Sequence, residues 1–312
     1  MTASQTLSIA TRGSPLALAQ ANHVLAQCRA NFPGRRFELK IVKTTGDRLQ
    51  TAGTADPEQA LPMGLFTKEL EMELLNGAAL FAVHSLKDLP IALPEKLCLA
   101  GVSAREDVRD VLIYRANTLP PHSRFKEFPA GATIATSSPR RAAQIQAARP
   151  GLKIVPIRGN VGTRLQKLLG QPELAGIVLA LAGLKRLGYR IGPEGQLAEG
   201  LRAAILTLDE MLPCVGQAAL GFEALADNPL AAEVCRSLTD IPTLQAVTAE
   251  RAFLQAMGGG CLSPVAAYGE TSGDLLRLRA FALRRETARR AEKTGPRDNA
   301  AGVGQDVAGM LI

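Results

Sequence analysis

Short apolar runs and helical stripes follow one another along this chain with regular punctuation between them. Residues 6–11 read as a strand that breaks at Arg12-Gly13-Ser14-Pro15. Serine caps a helix well and proline suits its first position, so a helix is predicted from there to about Arg29. Its stripe carries Leu16, Ala19, His23 and Leu25. A second strand is predicted over 37–45 through Leu39, Ile41 and Val42. Residues 47–63 are polar, with Gly53, Pro57 and Pro62, and read as a long loop and candidate lid. A helix follows over 65–76, closed by Gly77. Then comes a buried strand over 79–84, which breaks at Ser85-Leu86-Lys87-Asp88-Leu89-Pro90.

The character changes near Ala104-Arg105-Glu106-Asp107, and a second series begins with a strand over 108–114. Residues 133–136 predict a strand, after which Ser137-Ser138-Pro139-Arg140-Arg141 opens a helix to about Ala148. A strand over 154–157 leads through Arg158-Gly159-Asn160 to a helix bearing Arg164. A strand over 177–179 leads to a helix over 181–187 bearing Lys185 and Arg186. Residues 201–228 read as a return toward the first series. The last segment has a helix ending at Met257 and strands over 263–269 and 275–283. In the second of these, Leu276, Leu278 and Ala280 alternate with Arg277 and Arg279, the mark of a half-exposed antiparallel strand. The expected fold class is α/β, with two doubly wound domains and a small C-terminal α+β domain. The expected boundaries are 1–104 plus 205–228 for domain 1, 105–204 for domain 2 and 229–312 for domain 3.

A length of 312 residues agrees with more than one core. The five cysteines are scattered without a CxxC pair and there are three histidines, so neither a disulfide framework nor a metal centre is expected. The chain lacks the apolar stretch of about 18 residues that a membrane span needs. Its N-terminus does not read as a secretory signal, and a cytoplasmic location is expected. The net charge is +7, but aromatics are only 4% and Trp is absent, which supplies nucleic-acid stacking poorly. Small acidic ligands suit this balance better.

The chemistry lies at the ends of strands. Arg12, Lys87, Arg140, Arg141 and Arg158 sit where strands hand over to helices, with Arg164 and Arg186 slightly further on. Arginine forks match carboxylates in a bidentate way, so a ligand rich in carboxylates is expected in a cleft between domains. Asp88 opposes that field. It serves either to hold a developing positive charge or as a salt-bridge partner of Lys87 or Arg12. Met257-Gly258-Gly259-Gly260-Cys261 is either a tight turn with a buried cysteine or a loop that presents a thiol as nucleophile or covalent anchor.

Several stretches together resemble one family. They are Ile9-Ala10-Thr11-Arg12-Gly13-Ser14-Pro15-Leu16-Ala17-Leu18, Gly64-Leu65-Phe66-Thr67-Lys68-Glu69-Leu70-Glu71, Ala82-Val83-His84-Ser85-Leu86-Lys87-Asp88-Leu89-Pro90, Thr136-Ser137-Ser138-Pro139-Arg140-Arg141, Ile157-Arg158-Gly159-Asn160-Val161-Gly162-Thr163-Arg164-Leu165, Ala182-Gly183-Leu184-Lys185-Arg186-Leu187-Gly188, Leu212-Pro213-Cys214-Val215-Gly216-Gln217 and Gly259-Gly260-Cys261. In this order the chain resembles the porphobilinogen deaminases.

The resemblance implies two domains like periplasmic binding proteins and a third that carries the cysteine loop. It implies a dipyrromethane cofactor held as a thioether on Cys261, and porphobilinogen as the substrate of a monomeric enzyme. Four porphobilinogens would be joined head to tail with loss of ammonia, and water would release the linear hydroxymethylbilane. Asp88 would stabilise the cationic azafulvene. Ser85, Lys87, Asp88, Ser138, Arg140 and Arg141 would contact the cofactor. Arg12, Ser14, Ser137, Arg158, Arg164 and Arg186 would hold the acetate and propionate arms of the substrate.

The chain departs from the family pattern at Met63, where lysine is usual, at Pro139, where leucine is usual, and at Ala218, where glycine is common. Met63 brings into question the lid and any lysine contact there, whereas the changes at Pro139 and Ala218 remove no charged group, so activity is expected to survive. The alternatives are a non-enzymatic two-lobed anion-binding protein and a nucleic-acid-binding module. The first leaves the glycine-cysteine loop idle, and the second fits poorly with arginines at turns between apolar strands.

Overall fold

A computed structural model of the chain describes residues 6–47, 66–198, 200–259 and 263–312. The chain falls into two compact units. Unit 1 holds the described residues of Met1–Ala55, Ala60–Glu106 and Ala218–Gln245, and unit 2 those of Asp107–Gln217 and Ala246–Ile312.

Unit 1 begins with β1 (Leu7–Arg12), α1 (Pro15–Asn31) and β2 (Phe37–Val42). It continues with α2 (Lys68–Leu75), β3 (Phe81–Ser85) and β4 (Leu97–Val102). After the excursion into unit 2 the chain returns as the strand Leu220–Leu225 and the helix Pro229–Ser237. The sheet runs in the order β2, β1, β3, Leu220–Leu225, β4. β1 is parallel to β2 and β3, whereas the returning strand is antiparallel to β3 and β4. Alternation sends Ile9, Phe81, Val83 and Phe222 to one face, where they pack with Val24 and Cys28 of α1 and Val234 and Cys235 of the returning helix. Ala10 and Ala82 face the other way, against Leu70 and Leu74 of α2. A sheet covered on both faces needs apolar residues at successive positions, and Phe81 to His84 are all buried.

Unit 2 contains β5 (Asp110–Arg115), β6 (Thr133–Ala135), α3 (Pro139–Ala148), β7 (Lys153–Val155), α4 (Val161–Gly170), β8 (Leu174–Ala180), α5 (Leu181–Arg186), β9 (Gln196–Ala198) and β10 (Leu201–Ile205). With these in place, the returning strand and helix of unit 1 are β11 and α6. The unit 2 sheet runs β7, β6, β8, β5, β10, β9; β6 is parallel to β7 and β8, and β5 and β10 run antiparallel.

The helix α7 (Ile241–Ala256) carries the chain from unit 1 into unit 2 at Gln245. An antiparallel sheet of β12 (Val265–Ser272), β13 (Leu275–Arg284) and β14 (Thr287–Pro296) then precedes α8 (Ala300–Gly309). Ala266 and Phe281 of this sheet pack with Ala143 of α3 and Leu212. Glu250 of α7, fully buried, accepts 2.8 Å bonds from the backbone N–H groups of Gly216 and Gly269. Unpaired buried N–H groups are costly, so one carboxylate secures both a turn and a strand.

The expected class was α/β, with two doubly wound domains and a small C-terminal α+β domain; two mixed α/β sheets and a C-terminal antiparallel sheet are observed, in agreement with that class. Element ends differ by a few residues. The strand expected over 37–45 stops at Val42, where its pairing with β1 ends at Arg12. The strand expected over 263–269 runs Val265–Ser272, because its ladder with β13 continues to the turn at Leu275. Most of the expected loop over 47–63, including Met63, lies outside the described residues, as does Cys261.

Candidate active site

In unit 1 a cavity of about 60 Å³ is lined by Arg12, Ser14, Leu16, Ala17, Gln20, Phe66, Thr67, Val83, His84, Ser85 and Asp88. The carboxyl end of β1 delivers Arg12. Ser14 caps α1 by accepting from the Ala17 N–H at 3.3 Å, and Pro15 takes the first helical position. The carboxyl end of β3 delivers Ser85, which exchanges hydrogen bonds with buried Gln20 at 2.9 and 3.1 Å.

Asp88 closes a 3-10 turn over Leu86–Asp88. The Leu86 and Leu89 side chains on either side are 2% exposed, and the Leu86 N–H donates to the Ala219 carbonyl at 3.0 Å. Two buried leucines therefore fix the turn and leave Asp88 exposed. Asp88 makes no ion pair among the described residues. Arg12 pairs with Asp47 instead: Nη2 to Oδ1 is 2.5 Å and Nε to Oδ2 is 3.2 Å. Thr44 Oγ1 also donates to Asp47 at 2.7 Å. Burial pushes the Asp47 carboxyl up, but the hydrogen bonds from Arg12 and Thr44 and the charge of Arg12 outweigh it, so the group is held below its ordinary value. The Phe66 ring lies under the Arg12 guanidinium, with its centroid 4.1 Å away.

His84, one of the lining residues, has Nε2 2.9 Å from Glu223 Oε2, and the Glu223 side chain is wholly buried. Asp47, Phe66, Thr67, Gln20 and the His84–Glu223 pair had no assigned role in the sequence. Phe66 and Thr67 stand in a quoted motif, but motif membership alone says nothing about facing a cavity.

In unit 2 the helix α3 starts as expected. Ser138 caps it and Pro139 follows. Ser137 Oγ links two strand ends through 2.9 Å bonds with the carbonyl and N–H of Ile157. Arg140 and Arg141 are not at the surface; they are 4% and 6% exposed. Each places one guanidinium nitrogen 2.8 Å from Asp110, Arg140 on Oδ2 and Arg141 on Oδ1. Gln217 Nε2 donates to Asp110 Oδ1 at 3.0 Å. Arg140 and Arg141 also donate to the carbonyls of Leu212 and Val178. Burial raises the Asp110 carboxyl, yet the two guanidinium charges overcome this and hold it well below the carboxylate range. A clue to Asp110 existed in the sequence. An acid heading the apolar run Val111-Leu112-Ile113-Tyr114 must find cations when the strand is buried.

The other arginines are half-buried. Arg164 Nε donates to the Gly159 carbonyl at 2.8 Å, across the turn that begins α4, and the Arg158 carbonyl accepts from Lys167 at 3.2 Å. Arg186 and Lys185 occupy the last turn of α5, and Lys87 lies within the 3-10 turn beside Asp88.

The Nε–H groups of Arg140 and Arg141 are buried with no hydrogen-bond partner among the described residues. Such donors fit the carboxylate arms of a dipyrromethane. A charged N–H left unmatched is expensive and an incoming carboxylate would match it.

Comparison with known proteins agrees with this chemistry. The family profile "Porphobilinogen deaminase, dipyromethane cofactor binding domain" matches residues 7–233, and "Porphobilinogen deaminase, C-terminal domain" matches 244–312. A porphobilinogen deaminase of Desulforudis audaxviator is 42% identical over 306 residues, covering 97% of this chain and 93% of the relative. One from Bordetella parapertussis is 42% identical over 314 residues, covering 100% and 94%. Among solved structures, the VFT2 domain of Bordetella pertussis BvgS is 15% identical with a TM-score of 0.44, covering 79% of this chain and 92% of that domain, a likeness too distant to bear on function. The chain belongs to the porphobilinogen deaminase family, transferases of tetrapyrrole biosynthesis that work with a dipyrromethane cofactor.

Proposed function

We propose that Asp88 is the catalytic carboxylate of the condensation and that Cys261 holds the dipyrromethane as a thioether. When bound, the dipyrromethane supplies a pyrrole carbon onto which porphobilinogen is joined. Loss of ammonia from the aminomethyl group of porphobilinogen leaves a cation, and Asp88 lies against that cation and accepts pyrrole N–H bonds. The observation that carries this role is the state of Asp88 itself. It is exposed, rigidly based and unpaired by any cation among the described residues, while neighbouring Arg12 is already matched by Asp47.

The remaining residues bind and orient. Ser85, Lys87, Ser138, Arg140 and Arg141 contact the cofactor. Arg12, Ser14, Ser137, Arg158, Arg164 and Arg186 hold the acetate and propionate arms of the substrate. The buried and unmatched Nε–H groups of Arg140 and Arg141 support their share of this assignment. The sulfur of Cys261 is consumed in anchoring and takes no part in turnover.

Intact-mass measurement tests the anchor. The purified chain is expected to exceed its sequence mass by two linked pyrrole units, and Cys261→Ser to show the bare chain. Pyrrole mass retained in Cys261→Ser would overturn the assignment.

A further inference from the structure

Thr67 is the residue before α2, where threonine ordinarily caps a helix by accepting from an N–H of the first turn. Here its side chain makes no capping bond. The reason is conformational. Its backbone is helical, at φ −113° and ψ −31°, whereas a capping residue needs the extended region for its side chain to reach back. Its hydroxyl is buried with no hydrogen-bond partner among the described residues, and the whole residue is 2% exposed. A buried hydroxyl without a partner is costly unless something else arrives to match it. Thr67 lines the cavity that also holds Arg12, Ser14 and Asp88.

The cavity is of limited size, and the Asp88 carboxylate lines it beside Arg12. At about 60 Å³ it has room for a few waters, at roughly 10–15 Å³ each, which suits a carboxylate and not a pyrrole ring. The amino ends of α1 and α2 both meet it, through Ser14 and Thr67, and helix amino ends favour anions. Arg12 alone cannot grip a carboxylate with its Nε–Nη2 fork, because that edge is bound to Asp47. A second donor is therefore needed beside whatever nitrogen Arg12 has left.

We propose that the Thr67 hydroxyl is that donor: it hydrogen-bonds the same pyrrole carboxylate arm that Arg12 attracts. This rests on the reading that the oligopyrrole lies against Asp88, with one carboxylate arm entering the cavity. The arm belongs either to incoming porphobilinogen or to the anchored primer, and the two sources give different readouts.

The test uses the full-length enzyme with Thr67→Val and Thr67→Ser. If the arm is the substrate's, Thr67→Val raises KM for porphobilinogen about tenfold, the value of a hydrogen bond to a charged group, with cofactor mass intact. If it is the primer's, Thr67→Val shows incomplete cofactor loading by intact mass. Thr67→Ser keeps the wild-type value in either case. Combining Thr67→Val with Arg12→Gln is expected to cost less than the sum of the two, since both touch one group. The Tm of cofactor-free Thr67→Val is expected to equal or exceed that of cofactor-free wild type, because valine buries no unmatched hydroxyl.

A lower Tm in Thr67→Val that Thr67→Ser restores would make the residue a helix cap and overturn the proposal. So would wild-type KM and loading in Thr67→Val, or fully additive penalties with Arg12→Gln. Absence of pyrrole mass from the wild-type chain would instead defeat the underlying reading, so the two failures are distinguishable.

Discussion

Arg140 and Asp110 face each other at 2.8 Å in the interior of unit 2, with side chains 5% and 0% exposed. Arg141 completes the triad from the other carboxylate oxygen. Two guanidinium ions and one carboxylate leave a net positive charge, which a ligand carboxylate can neutralise. On the proposed cofactor contacts of Arg140 and Arg141, Asp110 would act through the arginines, as a positioning residue. Removing one partner from a buried ionic cluster strands the others, and Asp110→Asn is expected to cost about 3–5 kcal/mol in urea unfolding. Cofactor loading, read by intact mass, is expected to fall with it. An Asp110→Asn protein of wild-type stability and full loading would contradict this role.

The same triad sets an acid dependence. The folded Asp110 carboxyl lies below its ordinary value of 3.8 because the two arginines favour its ionised form. Its stabilisation is therefore fully present above about pH 4 and is lost as pH falls below that value toward the folded one. Unfolding free energy of the wild type is expected to drop through this window, with a shallower drop in Asp110→Asn. Parallel pH profiles for the two proteins would exclude the triad as the source.

Ala218 has a positive φ of 74°, as do glycines such as Gly216 at 71°. A Cβ in this region costs about 1–2 kcal/mol, of which the added chain entropy of glycine returns part. Ala218→Gly is expected to raise stability by about 0.5–1 kcal/mol in thermal or urea unfolding, without loss of activity. A destabilised Ala218→Gly would mean that packing of the buried methyl outweighs the strain.

Cys28 has no exposed surface, and burial pushes its thiol up to about 11; Cys235, equally hidden, is raised by the same cause. The thiolate is the reactive form, so neither is expected to be alkylated by iodoacetamide in the native protein at about pH 7.5. Half-buried Cys98 and Cys214 are expected to react first. Peptide mapping after labelling checks the order.

Much of this architecture is readable from local punctuation. Ser14-Pro15 and Ser138-Pro139 open helices where capping chemistry says they should, and Asp88 follows a buried strand as its neighbours imply. Charge pairing is not readable in that way. Arg12 meets Asp47 and Arg140 meets Asp110 across 35 and 30 positions of chain, through folding of the sheets. Arginines expected to line a cleft face therefore turn out to be buried in Arg140 and Arg141, because an acid at the start of β5 makes their burial affordable. Thr67 shows the converse. Its residue type suggests a cap, and only its backbone angles show that the hydroxyl is not used as one.

The central claim is that the Asp88 carboxylate carries the positive charge left by departing ammonia, and mass-resolved elongation of Asp88→Asn tests it most directly. The variant is expected to hold its two-pyrrole primer and to add porphobilinogen on the order of 10²–10³ times more slowly, as for loss of one preorganised electrostatic group. A primed Asp88→Asn enzyme that elongates at the wild-type rate would contradict the claim.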